Sequence, residues 1–199
     1  MPRRAGLNRA AVVNAAVELV NTSGSEALTL RRLADTLGIQ TPSLYNHIEG
    51  LPGLQRELAL VNVHNLGERL SEAAIGKSGP DALLAVAQAY RDYIKEFPGL
   101  YLASLRASGN QPQPDPELQA EEARSLRVGL AVMASFGLEG EDALHAVRGL
   151  RSLAHGFATL EIGGGFGLTL DCDESFRRLL EMFVRGLQQS AGTSQPAGT

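Results

Sequence analysis

Gln40, Thr41, Ser43, Tyr45, Asn46 and His47 crowd amides, hydroxyls, a phenol and an imidazole into one short stretch of chain. Groups of that size and polarity suit recognition by hydrogen bond, at base edges and phosphate oxygens, rather than bond-making. The pattern for nucleophilic catalysis is missing, since no serine sits in a strand-to-helix elbow with a histidine and an acid to serve it. His155 and Glu161 are six residues apart, a spacing that puts them on different faces of a helix. The four histidines (His47, His64, His145, His155) and the single Cys172 show no metal-ligand spacing, so no metal and no cofactor are expected. An enzyme is therefore disfavoured.

Recognition groups work only if a scaffold holds them out, and the flanking residues describe one. Two short helices that cross closely need a small residue where they touch, and Ala34 supplies it. Four residues later a sharp turn asks for positive φ, which Gly38 adopts without a Cβ clash. Leu33, Leu37, Ile39 and Leu44 then form an apolar wedge. Thr29 is a good N-cap for the first of the pair. Thr41 is read as the cap of the second, with Pro42 at its first helical position. The same pattern also describes a helical hairpin inside a bundle, in which case the chain is a protein-interaction module that never touches DNA.

Around this pair the periodicity is helical throughout, which predicts an all-α chain. The spacing predicts helices over about Asn8 to Thr22, Leu51 to Ala74, Asp81 to Phe97 and Leu100 to Ala107. Three more run from about Glu117 to Phe136, Glu141 to Glu161, and Asp173 to Gln189. Breaks at Ile75 to Pro80 and at Ser108 to Pro116 are rich in glycine and proline. These divisions predict an N-terminal helix-turn-helix domain over 1–56, a connecting helix and boundary over 57–78, a larger helical domain over 79–189, and a disordered tail over 190–199.

A net charge of −4 argues against nucleic acid when taken alone. The segment to Arg56, with Arg3, Arg4, Arg9, Arg31 and Arg32, is nevertheless mildly basic while the remainder is acidic. One cysteine allows no internal disulfide, and neither a signal peptide nor a membrane span is legible, so a cytoplasmic protein is expected.

The run from Leu28 to His47, together with Ala15-Ala16 and Gly24 before it, closely resembles the N-terminal domain of the TetR family of repressors. The likeness covers about Asn8 to Leu58. The segments His155 to Glu161 and Asp173 to Phe176 are similar to one C-terminal subgroup of that family. What the resemblance implies is a homodimeric repressor on a palindromic double-stranded DNA operator, released by a small-molecule inducer. By position, Thr29 would bind phosphate, Arg31 a base edge or phosphate, and Gln40 and Thr41 bases. Pro42 would meet a thymine methyl, Tyr45 and His47 backbone phosphates, and Asn46 would help specify sequence, with Ser43 also on this face. Arg32 is read as solvated or ion-paired and left outside the set. Leu51 stands where the family commonly has lysine, which removes a phosphate contact and throws more weight on Arg3, Arg4 and Arg9.

The family also implies a ligand cavity in the later helices. Its expected lining is Tyr90, Tyr93, Phe97, Tyr101, His155 and Phe157, each of which could equally be plain core. His155 stands out, because a buried imidazole needs a polar partner. The last two helices are expected to pair with their copies from a second subunit through Leu144, Val147, Leu150, Ala154, Phe176, Leu180, Phe183 and Leu187, although such stripes could also face their own core.

Overall fold

Asn8 opens the first helix by accepting the Ala11 amide on its side-chain oxygen at 2.9 Å. The computed structural model describes residues 7–109 and 115–193. Arg3, Arg4, most of the Ser108 to Pro116 loop and the last six residues of the predicted tail lie outside the described residues. All nine described helices follow one another without a strand among the described residues. They are α1 (Arg9–Ser23), α2 (Leu30–Leu37), α3 (Thr41–Leu44), α4 (Gly50–Ala74), α5 (Gly79–Glu96), α6 (Pro98–Gly109), α7 (Pro116–Ala134), α8 (Gly140–Ile162) and α9 (Cys172–Thr193). A 3₁₀ turn, Ser25–Ala27, links α1 to α2. No described helix is long and apolar enough to cross a membrane.

Several boundaries differ from the sequence reading, α5 starting at Gly79 rather than Asp81 and α7 ending at Ala134 rather than Phe136 among them. The residue capping α3 is Gln40, with extended backbone and no side-chain bond, so Thr41 is already inside the helix. Helix α6 starts two residues earlier than expected, at Pro98, because a proline lacks the amide that a helix start leaves unpaired. Helix α9 continues to Thr193, past the predicted stop at Gln189, since no glycine or proline halts it there.

The chain divides into two compact units. The first takes Met1–His64 and Phe97–Gln119, so residues well beyond the boundaries drawn near 56 and 78 pack with the N-terminal helices. Its core gathers Val12, Ala16, Leu33, Leu44, Leu54 and Leu100, each at most 1% exposed. Burying a leucine this fully contributes about 1.5–3 kcal/mol. Helix α6 enters that core because Gly99 has no side chain. A Cβ there would stand 1.8 Å from the Val20 carbonyl oxygen. Next to it the Leu100 amide donates to Asn21 Oδ1 at 2.9 Å, fastening α6 to the end of α1.

The second unit takes Asn65–Glu96 and Ala120–Thr199, with α5 lying against α8 and α9. Its core holds a charge. Arg91, 1% exposed, reaches Glu161 with Nε and Nη2, both at 2.7 Å, and Asp173 with Nη2 at 2.7 Å. Its guanidinium lies 5.3 Å from the Phe157 ring centre and 5.0 Å from that of Phe176. Lys95 adds a bond to Glu161 at 2.9 Å. Buried charge survives only when paired, and here α5, α8 and α9 each contribute to the pairing.

Candidate nucleic-acid interface

Thr29 sets the start of α2: its hydroxyl accepts the Arg32 amide at 3.2 Å. Eight residues of helix follow before Gly38, at φ 67° and ψ 34°, ends it in the left-handed region. The Ile39 amide then reaches back to the Ala34 carbonyl at 3.0 Å, closing the turn. A Cβ on Gly38 would meet nothing within 4 Å, so backbone angle and not space selects glycine there. Leu33, Ala34 and Leu44 are at most 1% exposed, and Leu37 and Ile39 pack on the same core. That wedge fixes α3 against α2.

What the wedge leaves outside is the predicted recognition set. Gln40, Pro42, Tyr45 and Asn46 are exposed, while Thr41, Ser43 and His47 are half-buried. Tyr45, at 60% exposure, has its ring edge 3.7 Å from where a Gly50 Cβ would stand. From Leu44 to Ile48 the backbone continues in tight turns, with the His47 and Ile48 amides both donating to the Leu44 carbonyl. Leu44 and Ile48 point inward and the residues between them are carried at the surface. Thr29 and Arg31 are exposed at the start of α2. The geometry therefore brings all nine predicted contact residues onto one unit, anchored by one core and available from outside.

The charge balance of this unit is not what the sequence suggested. Arg9 is clamped by Glu57, through Nε at 3.1 Å and through a second bond from Nη2. Arg56 binds Asp115 through Nε, and Nη2 reaches Asp115 at 3.0 Å and Glu117 at 2.7 Å. The Arg56 guanidinium holds the Asp115 carboxyl below the usual carboxylate range. Both arginines were counted toward a basic front, and both are neutralised by carboxylates. Arg9 is thus a poor substitute for the missing lysine, and Leu51 at that position packs on the core instead. Arg31 and Arg32 are exposed and form no ion pair among the described residues, so they are the cations of α1–α3 left for phosphate. Sequence reasoning missed these clamps because Asp115 and Glu117 are 59 and 61 residues from Arg56.

Known proteins are similar to this chain in sequence and fold. Residues 83–183 match the family model of the tetracyclin repressor-like C-terminal domain. An HTH-type transcriptional regulator of Mycobacterium tuberculosis is 32% identical over 99% of this chain and 89% of its own length. Another from Bacillus subtilis is 33% identical over 94% of this chain and 96% of its own. This chain belongs to the TetR family. Among solved structures, a protein of unknown function from Rhodococcus sp. RHA1 superimposes with a TM-score of 0.79 at 22% identity, covering 95% of this chain and all of that one. A TetR variant from Acinetobacter baumannii in complex with minocycline gives 0.69 at 22% identity, covering 93% of this chain and 98% of its own. As a TetR-family member the chain is a DNA-binding transcriptional regulator.

The other predicted residues of this TetR-family chain are distributed unevenly. Tyr90 and Tyr93 on α5 are buried in the second unit, with His155 and Phe157 half-buried on α8. Phe97 and Tyr101 belong to the first unit, where Phe97 packs on the core of α1–α4. Burial pushes the Tyr93 phenol up. It also lowers the His155 imidazole, with Arg151 nearby adding to the effect. Phe157 packs at a tilt against Phe166 and Phe176, with centroids 4.7 and 4.9 Å apart, and lines a cleft of about 290 Å³ beside the α8–α9 loop. Of the expected dimer stripe, Leu150, Ala154, Phe176, Leu180 and Leu187 are buried within their own subunit. Val147 and Phe183 are half-buried, packed near Gly129 and Gly149, and Leu144 is 45% exposed. The stripe lies mostly inside because amphipathic periodicity marks a buried face without saying which partner buries it.

Proposed function

We propose that this chain acts as a homodimeric repressor that binds the two half-sites of a palindromic operator and leaves it when a small molecule binds the second unit. The observation that carries the reading is that Gln40, Pro42, Tyr45 and Asn46 are exposed on a core-anchored turn and helix, as is Arg31 at the start of α2. In the major groove, Gln40 and Asn46 offer amides that pair with adenine edges. Pro42 offers an apolar surface to a thymine methyl. Thr29, Tyr45 and His47 supply hydrogen bonds to phosphate, which position the subunit without reading sequence.

For dimerisation, Leu144 on α8 and Met182 on α9 remain exposed at 45% and 56%, as does Leu160 at 52%. These are apolar groups that a second copy would cover, with the buried part of the stripe stiffening the helices behind them. For the ligand, the Acinetobacter variant in complex with minocycline is an instance of a small molecule bound by a protein of the same fold. A ligand acts only by binding the two DNA-competent and DNA-incompetent arrangements unequally.

The test is a fluorescence-anisotropy titration of the full chain on duplex fragments selected from random sequence. A repressor of this kind enriches a two-fold symmetric site whose half-sites lie about one helical turn apart. Enrichment of no sequence, with a dimer in sedimentation, would favour the protein-interaction module and sink the operator reading.

A further inference from the structure

The second unit contains a cleft of about 530 Å³ between the end of α4, the start of α5 and α7, separate from the aromatic residues expected to face a ligand. Its origin lies in side-chain size. Helices α4 and α7 touch where Gly67 faces Ser125, so closely that a Cβ at 67 would stand 2.8 Å from the serine hydroxyl. The same helix faces continue to Ser71 and Ala74 on α4 and to Val128 and Ala131 on α7, and these small residues leave the space unfilled.

Every lining residue that carries charge is a cation: Lys77, Arg124 and Arg127. That is unexpected in a chain of net charge −4. Their charge is also poorly compensated. Arg127 and Lys77 form no ion pair among the described residues, and Lys77 Nζ donates to the Ala73 carbonyl at 2.9 Å, keeping two further protons. Arg124 approaches Glu68 no closer than 3.6 Å. The volume is that of a small-molecule site. Apolar methyls beside Arg127 and Lys77, which have no ion pair among the described residues, and Arg124, held only loosely by Glu68, ask for a ligand with an apolar body and an anionic head.

We propose that this cleft binds an amphipathic organic anion, a carboxylate or phosphate monoester with a short apolar body. Arg127 and Arg124 hold the head, and Ala74, Val128 and Ala131 contact the body. This rests on the ligand-sensing reading above and names the class of ligand.

The test is calorimetric titration of the full chain with octanoate, octyl phosphate and octanol. At least one of the two anions is expected to bind with a dissociation constant below about 1 mM, and octanol at least about tenfold more weakly. The stronger of the two identifies carboxylate or phosphate as the head. Arg124→Ala with Arg127→Ala should lower that affinity by at least about tenfold. Ala131→Leu fills the cleft without changing charge and should do the same while the melting temperature holds. Equal binding of octanol, binding of neither anion, or unchanged affinity in Ala131→Leu overturns the assignment. Anisotropy on operator DNA is read in parallel. Failure of the anions to bind a chain that grips its operator removes this cleft alone, whereas anion binding without any operator recognition removes the repressor reading and leaves the cleft.

Discussion

Gly38 and Arg31 belong to the same short motif and answer to different forces. Gly38 is there for its backbone, at φ 67° with open space around it. Gly38→Ala should therefore cost about 1–2 kcal/mol of stability through strain alone, read as a lowered melting temperature. Arg31 is exposed and unpaired among the described residues, so its removal should leave the melt unchanged. Arg31→Ala should instead weaken operator binding by at least about 1 kcal/mol, and an unaltered titration would take Arg31 out of the interface. Both residues were legible in the sequence, because a turn that needs positive φ and an exposed cation after an N-cap are local facts. Arg56 was not. Its role depends on Asp115 and Glu117 arriving from a distant part of the chain, and no local pattern encodes that meeting.

At the scale of helices, α5, α8 and α9 are joined by Arg91, Glu161 and Asp173. Removing the guanidinium strands Glu161, 15% exposed, with Lys95 as its remaining partner. Arg91→Ala should cost about 3 kcal/mol in denaturant unfolding, near the lower end for a broken buried pair because Lys95 stays. The Arg91 guanidinium holds the Glu161 carboxyl below its ordinary value. Its contribution is thus present above an unfolded carboxyl value of about 4.3 and fades as pH falls through the lower folded value. In melts taken from neutral to acid pH, Glu161→Gln should be less stable than the parent at neutrality, with the gap closing in that acid window. A gap independent of pH would show that the charge of Glu161 is not what matters. The helix limits themselves were legible where glycine ended a helix, as at Gly24 and Gly38, whereas Pro98 was read as an interruption and is the first residue of α6. The owner of a buried stripe was not legible: Phe176 and Leu180 have the spacing of an interface and are spent on their own unit.

At the scale of the whole molecule, Arg31 and Arg32 are the cations of α1–α3 that form no ion pair among the described residues. Arg31 and Arg32 from two subunits supply four positive charges, which corresponds to a slope of about −3.6 in log affinity against log salt. A dimer on its operator should show at least that slope, and Arg31→Ala should flatten it by about 1.8 if both copies lie on phosphate. A slope near zero would place the binding energy outside these residues. The all-helical architecture was readable from periodicity, but the grouping of Phe97–Gln119 with the N-terminal helices was not, since sequence order hides which distant helix completes a core.

That completion changes what counts as a separable reading head. With Gly99 pressed on the Val20 carbonyl and Leu100 and Ala103 filling the core behind it, the first fifty-odd residues lack part of their own interior. Grafting that stretch alone onto another sensor, as one would exchange a detachable tool, should yield a loosened chain with a depressed, broad melt. A graft that carries Phe97–Gln119 as well should melt cooperatively. The transferable part of this regulator is discontinuous along the polypeptide, and swaps drawn at a single cut point run against its packing.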